Sequence, residues 1–127
     1  MFDFAVKYLS FFKHVPLAPH LFDVILKIET FFSDKTILDH IDAIENIVLS
    51  WGNTSVKPHR FGGTEFKVGG KEIGHVHGNG LLDVPFSRST KDKLIKETNG
   101  KVKDHHIFKD SGWISLYIQN STDKDLA

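Results

Sequence analysis

The chain reads as an α+β domain, N-terminal helices followed by a mostly antiparallel β-sheet with one inserted helix. Three observations predict this. Up to about residue 50, apolar side chains recur at three- and four-residue steps, the period of a helix. Beyond residue 53 the texture changes to short alternating runs punctuated by glycine, the pattern of strands and hairpins. Within that second part, "SRSTKDKLIKET" alone returns to a helical pattern.

Taken in order, Phe4, Leu9, Phe11 and Phe12 predict a short first helix that ends before Pro16, because the residue before a proline is pushed out of the helical region. A second helix starts near Pro19 and carries Leu21, Val24, Ile25, Ile28, Phe31 and Phe32 on one stripe. Ser33 or Asp34 caps a third, in which Ile37, Leu38, Ile41, Ile44, Ile47 and Val48 share a face, with Gly52 as its stop. Strands are expected near 54–58, 64–68, 71–77, 80–86, 101–107 and 113–119. "VGGKEI" supplies a tight hairpin turn, since Gly69 and Gly70 both tolerate positive φ. The inserted helix is capped by Ser89 or Thr90 and ends at Asn99-Gly100, and "NSTDKDLA" reads as a capped helix start with little helix after it. The one credible boundary lies near residue 50, giving a helical segment 1–50 packed on a domain formed by 51–127.

At 127 residues, one domain is long enough to bury roughly two-thirds of the surface its unfolded chain exposes. Sixteen basic and sixteen acidic side chains cancel, so no global field is available to hold a polyanion, and nucleic acid is disfavoured as a partner. Cysteine is absent, which removes disulfides, thiolate metal sites and cysteine nucleophiles together and fits a cytoplasmic location. Asp3, Lys7, Lys13 and His14 interrupt the apolar N-terminus well short of the ~18 apolar residues a spanning helix needs, and no signal peptide is read there. Five of the eleven phenylalanines (Phe2, Phe4, Phe11, Phe12, Phe22) fall in the first 22 residues. They either pack onto the domain or leave a face for self-association or another partner.

The chemistry-bearing residues concentrate in "KEIGHVHGNGLLDVPF" and "DHHIFKDSGW". If 71–77 is a regular strand, His75 and His77 share a face with Ile73, about 7 Å apart, and Glu72 points the other way. Such a pair can converge on one ion or one substrate, or simply decorate a solvated face. His105 and His106 add imidazoles, of which strict alternation lets only one join the pair. His59, Arg60, Glu65 and Asp83 surround the same stretch. Arg60 can hold an oxyanion through its planar fork, or else tie loop to sheet by pairing with Glu65 or Asp83. Three histidines without cysteine suit zinc, iron or manganese, and a 2-His-1-carboxylate set recruits Glu72 or Asp83, with alternation counting against Glu72. Without a metal, the same imidazoles serve as a general base and as donors to a developing oxyanion. Trp113 and Tyr117 share one face of the last strand with Ser115 and either wall a pocket or form a second packed layer, while Ile114, Leu116 and Ile118 face the core.

The set Glu72, Ile73, His75, His77, Leu94, Ile95, His106, Trp113, Leu116 and Tyr117, within the stretch from Trp51 to Ile118, resembles a group of small bacterial proteins known as luciferase-like, itself a distant relative of the fungal luciferases. The resemblance implies an oxygen-using enzyme without an added cofactor. The fungal enzymes add O₂ to a hydroxylated α-pyrone, 3-hydroxyhispidin, to give a strained endoperoxide that loses CO₂ and leaves an excited product. On that reading His75, His77 or His106 deprotonates the substrate, and Arg60 or a second histidine stabilises the anion. His105 is not part of the shared fungal pattern, and the "HRFGG" segment matches the bacterial group alone.

The expectation is therefore a luciferase-like oxygenase acting on a small enol or phenolic compound of hydroxypyrone type. Its catalytic residues are His75, His77, His106 and Arg60, and its substrate-binding residues are His59, Glu72, Asp83, Trp113 and Tyr117. The alternatives are a metal-dependent enzyme using His75, His77 and His106, and a non-catalytic interaction domain. Bound metal favours an enzyme; a stable complex that survives loss of all three histidines favours the interaction domain.

Overall fold

The structure, a computed structural model, describes residues 17–127. The helix expected over Phe4–Phe12 lies outside the described residues. Helix α1 (Ala18–Ser33) starts with proline in its first turn, where the missing N–H costs nothing. Asp34 ends α1 and opens α2 (Lys35–Ser50), its carboxylate accepting from the Thr36 N–H at 3.0 Å. Then follow β1 (Thr54–Pro58), β2 (Thr64–Val68), β3 (Lys71–Val76), β4 (Leu81–Pro85), α3 (Arg88–Glu97), β5 (Val102–Asp104), β6 (Trp113–Tyr117) and α4 (Ser121–Leu126). Among the described residues no helix is long and apolar enough to cross a membrane.

The six strands form one sheet in the order β1-β2-β3-β4-β6-β5, with every pairing antiparallel. The α+β arrangement is thus as the sequence predicts. β6 slots between β4 and β5, so the chain that passes through α3 reaches the sheet edge before returning inward. Gly69 and Gly70 both take positive φ in the turn joining β2 to β3.

One face of the sheet carries the apolar core. Phe66, Val76, Leu82 and Ile118 pack against Ile41, Ile44 and Val48 of α2, and Val102, Ile114 and Leu116 pack with Leu94 and Ile95 of α3. Ile114, Leu116 and Ile118 are core residues, as alternation predicts.

Three local expectations are corrected. The inserted helix is capped by Ser87, whose hydroxyl accepts from the Thr90 N–H at 3.2 Å, not by Ser89 or Thr90. After α2 the left-handed residue is Asn53, not Gly52. β5 stops at Asp104, so His105 and His106 sit in the loop before β6, outside any strand. The stripe Leu21, Val24, Ile25, Ile28, Phe31 and Phe32 lies on α1 as the period predicts, but it is exposed, and the helix buries Asp23, Leu26 and Thr30. The reason is position: α2 occupies the sheet's apolar face, whereas α1 packs on α2 and meets the loops at Gly62 and Gly78. There the Asp23 carboxylate accepts from the Gly78 N–H at 2.8 Å.

Candidate functional site

The opposite face of the sheet holds the histidines, and a β-bulge sets their geometry. Phe66 pairs with Gly74 and Lys67 with Glu72, so Ile73 is an extra residue on β3. Gly74 takes a φ of +156°, and a Cβ there would lie 2.9 Å from the Asp83 carbonyl oxygen on β4. The extra residue shifts the alternation by one. Ile73 consequently packs with the core, and Glu72 joins His75 on the polar face, the reverse of what strict alternation predicts. Glu72 Oε1 lies 2.8 Å from His75 Nδ1, a hydrogen bond that places the imidazole proton on Nδ1.

Asp83, on β4 directly opposite His75, is the centre of the arrangement. It is fully buried. Its Oδ1 accepts from the Ser115 hydroxyl of β6, while among the described residues Oδ2 has no hydrogen-bond partner. Around Oδ2 stand three imidazole Nε2 atoms: His75 at 3.4 Å, His105 at 3.6 Å and His77 at 3.8 Å. Buried polar atoms are nearly always satisfied in folded proteins, because leaving one bare costs about 1–3 kcal/mol. A bare carboxylate oxygen ringed by imidazoles therefore marks a place shaped for something other than packing.

Hydrogen bonds at the second ring nitrogen fix what each imidazole can do. His105 Nδ1 accepts from the backbone N–H groups of Ile107 and Phe108 at 3.0 and 3.1 Å, so its proton sits on Nε2 and faces Asp83. His59 Nδ1 accepts more weakly from the Phe61 N–H at 3.4 Å, leaving Nε2–H directed at Glu72 Oε1, 3.7 Å away. His59 and His75 stack with ring centroids 4.0 Å apart. Trp113 closes one side, its ring 5.6 Å from that of His75 and 5.9 Å from that of His105.

Electrostatics divide the histidines. Burial pushes His77 and His105 each down to about 4, so both are neutral near pH 7. Burial and the neighbouring His75 likewise lower His59. Burial also opposes charge on His75, but the carboxylates of Asp83 and Glu72 outweigh it and raise its pKa. Burial would raise Asp83; the flanking His75, the Ser115 hydroxyl and the nearby His105 hold it below the usual carboxylate range instead.

The structure thus brings together His59, Glu72, His75, His77, Asp83, His106 and Trp113 of the residues singled out from sequence. Both adjacent histidines reach the cluster, because they lie in a loop to which strand alternation does not apply. His105 is the more buried and faces Asp83, while His106 stacks on it with centroids 4.3 Å apart. Arg60 is exposed over the Phe61 ring at 4.6 Å, and Glu65 pairs with Lys67 at 3.2 Å, so neither form of the expected loop-to-sheet pairing of Arg60 is made. Tyr117 shares the polar face further along β6, at an exposed position.

Two contributors were not read as functional from sequence. Ser115 was visible only as the residue between Trp113 and Tyr117, and its alternation with them was the available signal. Lys91 is buried on α3, and its ammonium bonds the backbone oxygens of Lys109 and Ser111 at 2.5 and 2.9 Å and the Asp104 carboxylate at 2.5 Å. It straps down the loop that carries His105 and His106. A lone lysine in a charged helix gives no sequence signal of that role.

Residues 70–127, somewhat under half of the chain, match the family model described as Luciferase domain, and this stretch is similar to that family. The matched stretch contains every member of the cluster except His59. No curated protein and no solved structure matches the chain.

Proposed function

We propose that the protein is a luciferase-like enzyme that brings a small electron-rich enol or phenolic compound, of hydroxypyrone type, into reaction with O₂ at the histidine cluster. The observation that carries this reading is Asp83 Oδ2, buried and unbonded among three imidazoles under Trp113. An interior that keeps such a group has given up stability there, the usual mark of a functional site.

In this reading the substrate ring lies against Trp113, and its enol O–H loses its proton to the imidazole–carboxylate cluster. The enolate oxygen then meets the Nε2–H groups of His105 and His59, donors that backbone amides already hold in the needed tautomer. An enolate is the electron-rich form that adds O₂; after addition, the carbon skeleton loses CO₂. His106 and Arg60 stand at the margin, where they contact the substrate rather than its reacting atoms. Light emission is not required by this scheme.

The test is O₂ consumption with a hydroxylated α-pyrone as substrate, beside the His105→Gln variant. Wild-type protein is expected to consume one O₂ per substrate, and the variant to lose about 10²–10³-fold in turnover through the missing donor. Absence of any O₂ uptake with hydroxypyrones and simple enols would remove the oxygenase reading. Uptake unaffected by the variant would remove the cluster from the reaction.

A further inference from the structure

We infer that His75, His77 and Asp83 form a binding site for one first-row divalent cation. The inference rests on reading the cluster as the functional site, and it names what that site holds.

Three independent features of the geometry point to it. First, a tetrahedral ion with bonds of about 2.0–2.2 Å sets its ligand atoms roughly 3.3–3.6 Å apart. His75 Nε2 and His77 Nε2 lie 3.4 and 3.8 Å from Asp83 Oδ2, and one donor atom from each of the three residues lies within 4.8 Å of the others. Second, the carboxylate is prepared as a ligand. Ser115 fixes Oδ1, and Oδ2 is buried with no partner. Third, the Glu72 carboxylate holds the His75 Nδ1–H at 2.8 Å, the carboxylate–histidine arrangement that turns the other ring nitrogen toward a metal and raises its basicity.

Hydrogen bonding also decides between this set and its competitors. Asp83, His105 and His106 also present donor atoms within 4.8 Å of one another, as do His59, Glu72 and His75. In the first group, His105 has already committed Nδ1 to two backbone N–H groups, so Nε2 carries a proton and cannot bind an ion. In the second, His59 is committed in the same way, more weakly, and Glu72 already holds His75. The remaining set is two imidazole nitrogens and one carboxylate, with no sulfur, which suits iron, manganese or zinc and leaves open positions for other ligands. His105 Nε2–H then stands beside the ion as a donor to any anionic oxygen it holds.

The test uses the full chain prepared without a histidine tag, stripped with chelator and equilibrated separately with Mn²⁺, Zn²⁺ and, without oxygen, Fe²⁺. Elemental analysis after gel filtration is expected to find one equivalent of at least one of these ions. Asp83→Asn and His75→Ala/His77→Ala should each weaken binding by at least about 100-fold, and Glu72→Gln by about 10–100-fold. His105→Gln and the remote His20→Ala/His40→Ala variant should keep full stoichiometry. Far-UV circular dichroism checks that each variant is folded. The visible absorption of bound Co²⁺ in wild-type and Glu72→Gln protein gives a second readout that needs no ligand deletion.

Less than about a tenth of an equivalent of every ion would overturn the inference, as would stoichiometric binding indifferent to Asp83→Asn. Loss of stoichiometric binding in His105→Gln would overturn the ligand set in favour of the Asp83, His105 and His106 group. Failure here and failure of the oxygenase reading are separable: O₂ uptake by protein that binds less than about a tenth of an equivalent of every ion removes the ion site and keeps the enzyme, whereas one bound equivalent without uptake does the reverse.

Discussion

On one face of the sheet, Phe66, Val76, Leu82 and Leu116 are buried beneath α2 and α3; on the other, their neighbours in sequence His75, Asp83 and Ser115 are buried just as deeply. The first face is stabilised by removing apolar area from water, at roughly 25 cal/mol per Å². The second gains little from burial and leaves a carboxylate oxygen bare, at a cost that the first face must offset. The difference teaches a division of labour within strands of five or six residues: alternation delivers one side chain to the fold and the next to the site. It also predicts that substitutions on the two faces fail in different ways.

The largest effect is expected on the apolar face. Leu82 is buried in the main cluster, one residue from Asp83. Leu82→Ala should cost about 2–5 kcal/mol by urea denaturation, the range for a large-to-small change in a packed core. A loss below about 1 kcal/mol would mean that the two faces do not divide the work as described.

How much of this was legible in the sequence follows the same division. The apolar face was readable because helical and strand periods survive in the string, and Ile41, Ile44, Val48, Ile114 and Leu116 fall where those periods put them. Periodicity says which residues form a stripe, not whether anything covers it, and the stripe of α1 lies exposed. The histidines were visible as types and spacings. Their grouping was not, because a bulge at Ile73 reversed the parity of Glu72, and the only trace it leaves in sequence is Gly74. Strand alternation would admit only one of His105 and His106, but "DHHIFKDSG" is a turn-rich tract, and the chain there is a loop. Asp83 was one acid among sixteen, distinguished only by pairing partners that no string displays.

A middle effect is expected where the two faces meet, at Lys91. Its ammonium holds two loop carbonyls and the Asp104 carboxylate from a buried position. Lys91→Met keeps the apolar stem and removes all three bonds, leaving the Lys109 and Ser111 oxygens without their donor. The expected loss is about 1–3 kcal/mol. It should be accompanied by faster hydrogen exchange at the Ile107 and Phe108 amides, whose bonds to His105 Nδ1 depend on the loop path. Unchanged exchange at those two amides would show that Lys91 does not position His105.

The smallest effect on stability, and the sharpest contrast with Leu82→Ala, is expected from Asp83→Asn measured in chelator. Removing one partner of a buried ion pair commonly costs 3–5 kcal/mol, because the other charge is stranded. Here it is not stranded: His75 keeps Glu72 at 2.8 Å on its other nitrogen. The asparagine carbonyl can still accept from Ser115, and its amide can donate to an imidazole nitrogen where the carboxylate oxygen had no partner. The balance favours a change within about 1 kcal/mol of wild type, of either sign. Added divalent ion should separate the two proteins again, raising the melting temperature of wild type alone, since an ion that binds only the folded wild-type site stabilises only that state. A loss above about 2 kcal/mol in chelator would make Asp83 a structural residue, and the polar face a second core rather than a site.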